Sequence, residues 1–490
     1  MSIASAPTSA PARSGYGGLE LLVAGEWLGI EGRDSQPVLN PATGNEIGRL
    51  PVATTGDLDR ALEAAAEAFP VWRATTPEHR ANVLHGAAAL LRERVEDIAW
   101  QMTLEEGKPI RESRGEVLFT AGIIDFLAGE AMQTFGKVIP GAVPGGTTLV
   151  LSEPVGPVAA FSPWNYPLTV PTRKIAAALV AGCTMVIKPA EEAPTSGLAV
   201  ARALVDAGLP AGVLNVVFGD PAHISEHLIG SPIIRMVSFT GSTAVGKHIA
   251  SLAAAGAKPC MLELGGHAPV LVFDDVDVDS VVAQLVGSKF HNNGQSCGSP
   301  CRFYVQDGIY DQFVARFAQL TKAIQVGNPL DESTELGPLI SGRRIDSMEH
   351  LVQDAIEQGA SIVAGGAAIP GDGYFWQPTA LADVPEDALI MNEEPFGPVA
   401  AISRFSTEEE VVERANRLPY GLGSYLFTSS LPRALRLPSL IQAGMVSVNA
   451  CNLGGVDTFF GGVKESGYGS EGGPEAVAAF LRPKLVTYAV

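Results

Sequence analysis

Val158-Ala159-Ala160-Phe161-Ser162-Pro163-Trp164-Asn165-Tyr166-Pro167 is a short apolar run that ends in a polar loop bounded by prolines. The same style recurs downstream in Met185-Val186-Ile187, Leu214-Asn215-Val216-Val217 and Met236-Val237-Ser238-Phe239. Runs this short, separated by turn residues, read as strands. Helix-spaced segments fill the gaps at 168–180, 196–207, 223–229 and 244–254. Strand–helix alternation at this spacing predicts a parallel sheet with helices on both faces. Val270-Leu271-Val272 and Phe303-Tyr304-Val305 continue the style, so a second α/β unit is expected over 264–459.

Upstream the pattern differs. Segments 21–28 and 38–50 read as short strands around turns, and a helix is expected from Gly56-Asp57. Leu58, Ala61, Leu62, Ala65, Phe69 and Trp72 recur there at helical spacing. Pro77 suits the first turn of a second, longer helix. The helical layer runs to about 135, a Pro/Gly-rich break follows at 140–146, and 147–153 alternates like a strand. Residues 1–16 are rich in Ser, Ala and Pro and lack an apolar core, which reads as a flexible tail rather than a signal peptide.

A chain of 490 residues is expected to form two or three domains. With 46% hydrophobic and 18% charged residues the composition is that of a soluble globular protein. Lys+Arg number 33 against Asp+Glu 53, a net charge of −20, which repels nucleic acid and anionic membranes. The apolar runs are too short to span a bilayer. The cysteine count is 5, an odd number without a leader, which points to free thiols in the cytoplasm. Cys297 and Cys301 have no second Cys/His pair at zinc-ligand spacing, so no metal is expected.

Candidate chemistry lies at the ends of these strands. In Phe290-His291-Asn292-Asn293-Gly294-Gln295-Ser296-Cys297 a Gly-containing turn presents one sulfur beside free N–H groups, which could lower its pKa. The alternative is a buried small hydrophobe. Glu263 precedes a Gly265-Gly266 turn after an apolar pair, where a carboxyl can be a general base with a raised pKa or a paired hinge residue. Asn165 offers a stiffened amide donor of the kind an oxyanion hole needs, or simply forms a turn. Lys188 and Glu191 could hold ribose hydroxyls, or be solvated. Gly241-Ser242-Thr243-Ala244-Val245-Gly246 follows a strand and opens a helix, so its N–H groups could face a phosphate or only be capped by Ser242. Gly467-x-Gly469-x-x-Gly472 is the literal dinucleotide pattern, but without a preceding strand it is expected to be a plain loop. His267 and His291 are read as structural rather than as partners of a Cys–His nucleophile.

Together these stretches resemble the aldehyde dehydrogenase superfamily from about Leu21 to the C-terminus. The resemblance is carried by Pro163-Trp164-Asn165, Lys188 to Glu191, Phe239 to Gly246, Glu263 to Gly266 and Gly294-Gln295-x-Cys297. Glu394-x-Phe396-Gly397-Pro398 and Phe460-Gly461-Gly462-Val463-Lys464 complete it. It implies an α/β fold with a Rossmann-type NAD-binding domain (17–131 and 151–263) and an α/β catalytic domain (264–459). A small β oligomerisation element with the C-terminal segment (132–150 and 460–490) would make a homo-oligomer, a dimer or a tetramer. It further implies an enzyme that oxidises a small aldehyde to a carboxylic acid with NAD, NADP being the alternative cofactor.

The catalytic set would be Cys297 as nucleophile, Glu263 as base, Asn165 as oxyanion donor and Lys174. The cofactor set would be Ser162, Pro163, Trp164, Lys188, Glu191, Gly219, Gly241, Ser242, Val245, Gly246, Leu264, Glu394 and Phe396. Within the superfamily the chain is most similar to the succinate-semialdehyde and α-ketoglutaric-semialdehyde branch. Substrate contacts would then fall on Tyr166, Arg173, His291, Cys301 and Phe460. His291 stands where the branch usually has a second carboxylate-binding arginine, and Phe459 where it has proline. A larger aromatic or apolar aldehyde is therefore the alternative substrate. A non-redox cysteine esterase or thioesterase is the alternative chemistry. The second cysteine of the branch's redox switch would fall on Ser299, so that switch is expected to be absent.

Overall fold

A computed structural model describes residues 15–141 and 143–488. The tail at 1–16 lies almost wholly outside them, but Tyr16 does not belong to it: its phenol donates to Glu105 at 2.9 Å.

The expected alternation builds a parallel sheet. Its strands are Val158–Phe161, Met185–Lys188, Leu214–Val216, Met236–Thr240 and Cys260–Glu263. In space they run 260, 236, 158, 185, 214, with Leu21–Val23 and Glu26–Leu28 added antiparallel beyond 214. The Val158–Phe161, Met185–Lys188 and Leu214–Val216 strands are buried throughout, as strands covered on both faces must be. The chain steps outward from 158 to 214, then returns to 236 on the other side. The reversal opens a crevice between the carboxyl ends of Val158–Phe161 and Met236–Thr240, the place where open α/β sheets hold ligands.

The covering helices follow their sequence signals. Thr54 caps the Thr55–Arg73 helix in a reciprocal box with Asp57, an arrangement that contributes about 1 kcal/mol. Pro77 opens the next helix, Pro77–Glu93, under a Thr76 cap. Ile110–Glu130 and the almost fully buried Thr169–Ala181 complete the layer facing the site.

A second sheet runs Ser361–Ala364, Thr379–Ala382, Val399–Phe405, Pro300–Gln306, Ala268–Val272, Gly423–Phe427, Met445–Val448, parallel except at Ser361–Ala364. Apolar clusters cover both of its faces. Glu263 ends a strand of the first sheet and Ala268 begins one of the second. The amino ends of the second sheet therefore meet the carboxyl ends of the first.

Three expectations need correction. Gly467-x-Gly469-x-x-Gly472 is not a plain loop: Gly467–Tyr468 is an edge strand antiparallel to Cys260–Glu263. Residues 460–480 also do not belong with the oligomerisation element, because the Gly473–Ala479 helix buries Ala476 and Val477 in the core of the first domain. The β arm consists of Lys137–Pro140, Thr147–Pro154 and Leu481–Tyr488, and its middle strand passes the expected limit at 150 because pairing continues to Pro154 opposite Leu481. Among the described residues no helix is long and apolar enough to cross a membrane.

Candidate active site

The helix Val278–Phe290 delivers the chain to the catalytic turn. There Asn292, Asn293 and Gly294 take left-handed conformations in succession, with φ of 52, 56 and 72°. Asparagine tolerates this region better than other side chains, and here both asparagines are also bonded in place. Asn293 donates to the carbonyls of Gly107 and Pro338 at 3.1 and 2.9 Å and accepts from the Gly337 N–H at 2.7 Å. Gly294 must be glycine for two reasons: its φ, and a carbonyl at Gly397 that a Cβ would meet at 2.4 Å. The turn is thus clamped by backbone groups at Gly107, Gly337, Pro338 and Gly397, and Cys297 emerges three residues later.

Cys297 lines a cavity of about 900 Å³ with Glu263, Arg173, Tyr166, His291 and Phe460. Asn165 is buried against the loop that carries Cys297. The Asn165 and Asn292 side-chain amides both donate to the Gln295 carbonyl at 3.0 Å, and the Asn292 amide also reaches the Asn165 carbonyl at 2.8 Å. The two loops, 130 residues apart in sequence, form one bonded unit.

The thiol is not activated in the way expected. Burial, then the carboxylates of Glu394 and Glu263, push Cys297 up to about 12, against Arg173. The turn's N–H groups do not offset this burial and the nearby acids. Below that pKa the thiolate fraction grows tenfold per pH unit. The rate of iodoacetamide labelling of the Cys297 peptide, in protein without cofactor, should therefore rise about tenfold per unit from pH 7 to 10. Peptide mass spectrometry checks this; a plateau near pH 8 would contradict it.

Glu263 is 2% exposed, and neither carboxylate oxygen has a hydrogen-bond partner. Burial raises its pKa well above the usual range, with Glu471 adding to this and Lys174 and Arg173 opposing. Such a carboxyl keeps its proton to higher pH than an ordinary glutamate and is a stronger base once that proton leaves.

Arg173 and Lys174 are consecutive on the Thr169–Ala181 helix, so they diverge. Arg173 turns to the cavity, where its guanidinium lies 5.0 Å from the centre of the Phe460 ring and its Nε has no hydrogen-bond partner. Lys174 turns beneath the sheet, fully buried, to ion-pair with Glu471 and donate to the Ser238 hydroxyl at 3.0 Å. Lys174 therefore does not line the cavity, whereas Glu471 does. Glu471 escaped the sequence reading because its only local signal was the glycine pattern set aside as a loop.

His291 sits at the cavity mouth, half exposed, 3.7 Å from Glu112 and 3.4 Å from the Tyr166 hydroxyl. Cys301 is a correction: it is buried off the cavity, its thiol donating to the Ser299 carbonyl at 3.1 Å. His267 is also remote; its ring meets the Ile390 carbonyl at 2.9 Å, and burial lowers its pKa well below the usual value.

The expected cofactor residues gather along the crevice. The Ser162 hydroxyl, just past Val158–Phe161, is buried without a partner. The Lys188 ammonium meets the Glu191 carboxylate at 2.6 Å, and Gly219 N–H donates to Glu191 at 3.1 Å. Gly241 N–H bonds the Glu263 carbonyl at 3.0 Å, and Ser242 caps the Thr243–Ala255 helix through Val245 N–H. A Cβ on Gly246 would lie 2.2 Å from the Leu264 side chain, so glycine is what lets this helix close on the strand. Opposite, Glu394 accepts from Gly266 N–H at 3.2 Å, and burial lifts its pKa to about 7. Phe396 holds φ of 45°, a strained value for an aromatic residue, and packs edge-on to Trp164 with ring centres 5.5 Å apart. Among the described residues no group of three or more His, Cys, Asp or Glu could hold a metal.

A crevice at a sheet reversal, beside a cavity holding a thiol and an unpartnered carboxyl, fits an enzyme that works through a covalent intermediate on sulfur. The chain belongs to the aldehyde dehydrogenase family, whose model matches residues 27–486. It is 44% identical to 4-(hydroxymethyl)benzenesulfonate dehydrogenase of Comamonas testosteroni, covering 96% of this chain and 98% of that protein. It is 40% identical to the NADP+ succinate-semialdehyde dehydrogenase of Escherichia coli, covering 95% and 97%. The crystal structure of succinate-semialdehyde dehydrogenase from Burkholderia pseudomallei matches with a TM-score of 0.94 at 37% identity, covering 99% of this chain and 100% of that one. The protein is thus an NAD(P)-dependent enzyme that oxidises an aldehyde to the acid.

Proposed function

We propose that this enzyme oxidises an anionic semialdehyde of the succinic or α-ketoglutaric type, with Cys297 as nucleophile, Glu263 as base and Asn165 as oxyanion donor. The observation that carries the substrate class is Arg173: a buried guanidinium on the wall of the Cys297 cavity, with a nitrogen that nothing satisfies. A buried cation of this kind is stabilised by an anion from outside. Relatives named for succinate semialdehyde and for a benzenesulfonate also act on compounds bearing an anionic group.

The residues fit NAD. Ser162 has an unsatisfied hydroxyl at the reversal crevice, the 241–246 turn opens a helix whose N–H groups suit a pyrophosphate, and Glu191 and Glu394 are carboxylates able to take ribose hydroxyls. Glu191 would repel a 2′-phosphate, which favours NAD over NADP. When bound, the nicotinamide accepts the hydride. The Cys297 thiol gives its proton to solvent water and attacks the aldehyde carbon as the thiolate, and the Asn165 amide with the Cys297 N–H holds the resulting oxyanion. Loss of hydride leaves a thioester on Cys297. Glu263 takes a proton from water, which attacks the thioester and releases the acid.

The placement of the cofactor half at 16–131 and 155–263, and of the catalytic half at 264–459, belongs to this proposal, with residues 151–154 moved to the β arm and 460–480 to the cofactor half. The exposed Val138, Leu485 and Tyr488 of the β arm support a homo-oligomer built through that arm, and five unpaired cysteines support a cytoplasmic setting.

Replacing Arg173 by Met should lower kcat/KM for succinic semialdehyde about 10- to 100-fold relative to a neutral alkanal, the scale of a charge-assisted pair. His291→Arg should shift the same ratio the other way, by supplying a second guanidinium. A ratio unmoved by Arg173→Met would remove the anionic substrate. The aromatic walls from Phe119, Tyr166, Tyr425 and Phe460 support a second reading, a ring-bearing aldehyde. A benzaldehyde panel separates the two.

A further inference from the structure

Lys108 and Glu116 line the cavity and form an ion pair at 2.6 Å with side chains only 1% and 3% exposed. Neither is needed for the steps above. A buried pair is weak evidence for stability, because apolar side chains of the same volume often serve as well. What distinguishes this one is where its remaining valences go. The Lys108 ammonium donates to the Asn165 carbonyl at 2.9 Å and stands 4.6 Å from the centre of the Tyr166 ring. The second oxygen of Glu116 accepts from the N–H groups of Leu168 and Thr169, each at 3.0 Å. One ion pair therefore holds the segment 165–169 at both ends. The Asn165 carbonyl is gripped from the other side by the Asn292 amide at 2.8 Å. With the carbonyl held twice, the peptide plane is set, and so is the direction in which the Asn165 side chain leaves the backbone. That side chain gives one amide hydrogen to the Gln295 carbonyl, which leaves the second for the substrate.

We propose that Lys108 and Glu116 are positioning residues for the reaction: they lock the 165–169 loop so that the Asn165 amide is preorganised toward the substrate oxyanion. The inference rests on the reading of Asn165 as the oxyanion donor. Preorganisation of such a donor acts on the transition state, so its loss falls on kcat rather than on cofactor binding.

The test compares Asn165→Ala, Lys108→Met, the charge-free pair Lys108→Met/Glu116→Gln, and that pair combined with Asn165→Ala. For each, kcat, KM, NAD affinity and unfolding temperature are measured. Lys108→Met alone strands a buried carboxylate and can fail to fold. The charge-free pair keeps side-chain volume and leaves the Gln oxygen to accept from Leu168 and Thr169. Asn165→Ala should lose about 10²–10³ in kcat. The charge-free pair should lose about tenfold or more in kcat with NAD affinity retained, and should cost little further in the Asn165→Ala background. Equal losses in both backgrounds, kcat unchanged with Asn165 intact, or parallel loss of NAD binding and kcat would each overturn the assignment. If Asn165→Ala itself keeps full kcat, the oxyanion reading fails first, and the clamp fails with it.

Discussion

Cys297→Ala should lower aldehyde oxidation by on the order of 10⁴-fold or more, to the level of the uncatalysed background, while NAD binds as before. The size of the effect follows from the chemistry. Without the sulfur there is no covalent adduct, so no tetrahedral carbon forms from which hydride can leave. The sparing of NAD follows from the fold. The crevice residues Ser162, Lys188, Glu191 and Ser242 belong to the first sheet's loops, whereas Cys297 stands before a strand of the second. The turn itself is held by Asn292, Asn293 and Gly294 rather than by the sulfur. Turnover and equilibrium NAD titration on the same preparation check both halves. Retained oxidation would reassign the nucleophile.

Glu263→Gln should separate the two halves of the reaction. Hydride transfer needs the Cys297 adduct but not the base, whereas release of the acid needs water to be deprotonated. Steady-state kcat should fall about 10²–10⁴-fold, the usual contribution of a positioned base. A burst of NADH approaching one per subunit should survive. The burst phase should also begin at lower pH than in the wild type, because Glu263 is among the carboxylates that raise the Cys297 pKa. In the wild type the sign is the reverse. Glu263's own pKa is raised, so the base is available above that pKa, and deacylation falls as pH drops through it. Stopped-flow absorbance at 340 nm reads burst and steady state together; a burst lost in step with kcat would place Glu263 in the first half-reaction.

How much of this was legible in the chain depends on the range of the signal. The strands at Val158, Met185, Leu214 and Met236 could be read directly, because strands buried on both faces are predominantly apolar. The catalytic turn was legible as a glycine-containing turn with one thiol, since left-handed geometry constrains local residue choice. What could not be read were contacts between distant segments. Glu471 pairs with Lys174 across 297 residues, and its glycine-rich surroundings looked like a loop because an edge strand of two residues leaves no periodicity. The raised thiol pKa was likewise invisible, for it comes from burial and from Glu394, Glu263 and Glu471, which converge from distant segments. Cys301 was placed in the substrate site by the branch resemblance, but the strand Pro300–Gln306 carries it into the buried interior. Lys108 gave no signal, because its partners Glu116 and Asn165 become neighbours only once the Ile110–Glu130 helix packs against the 162–168 loop.

The central claim is a thioester on Cys297. Glu263→Gln enzyme mixed with succinic semialdehyde and NAD, quenched in acid and digested, should yield the peptide bearing Cys297 with the mass of the aldehyde less two hydrogens. No adduct, or the same adduct on another residue, would contradict the account.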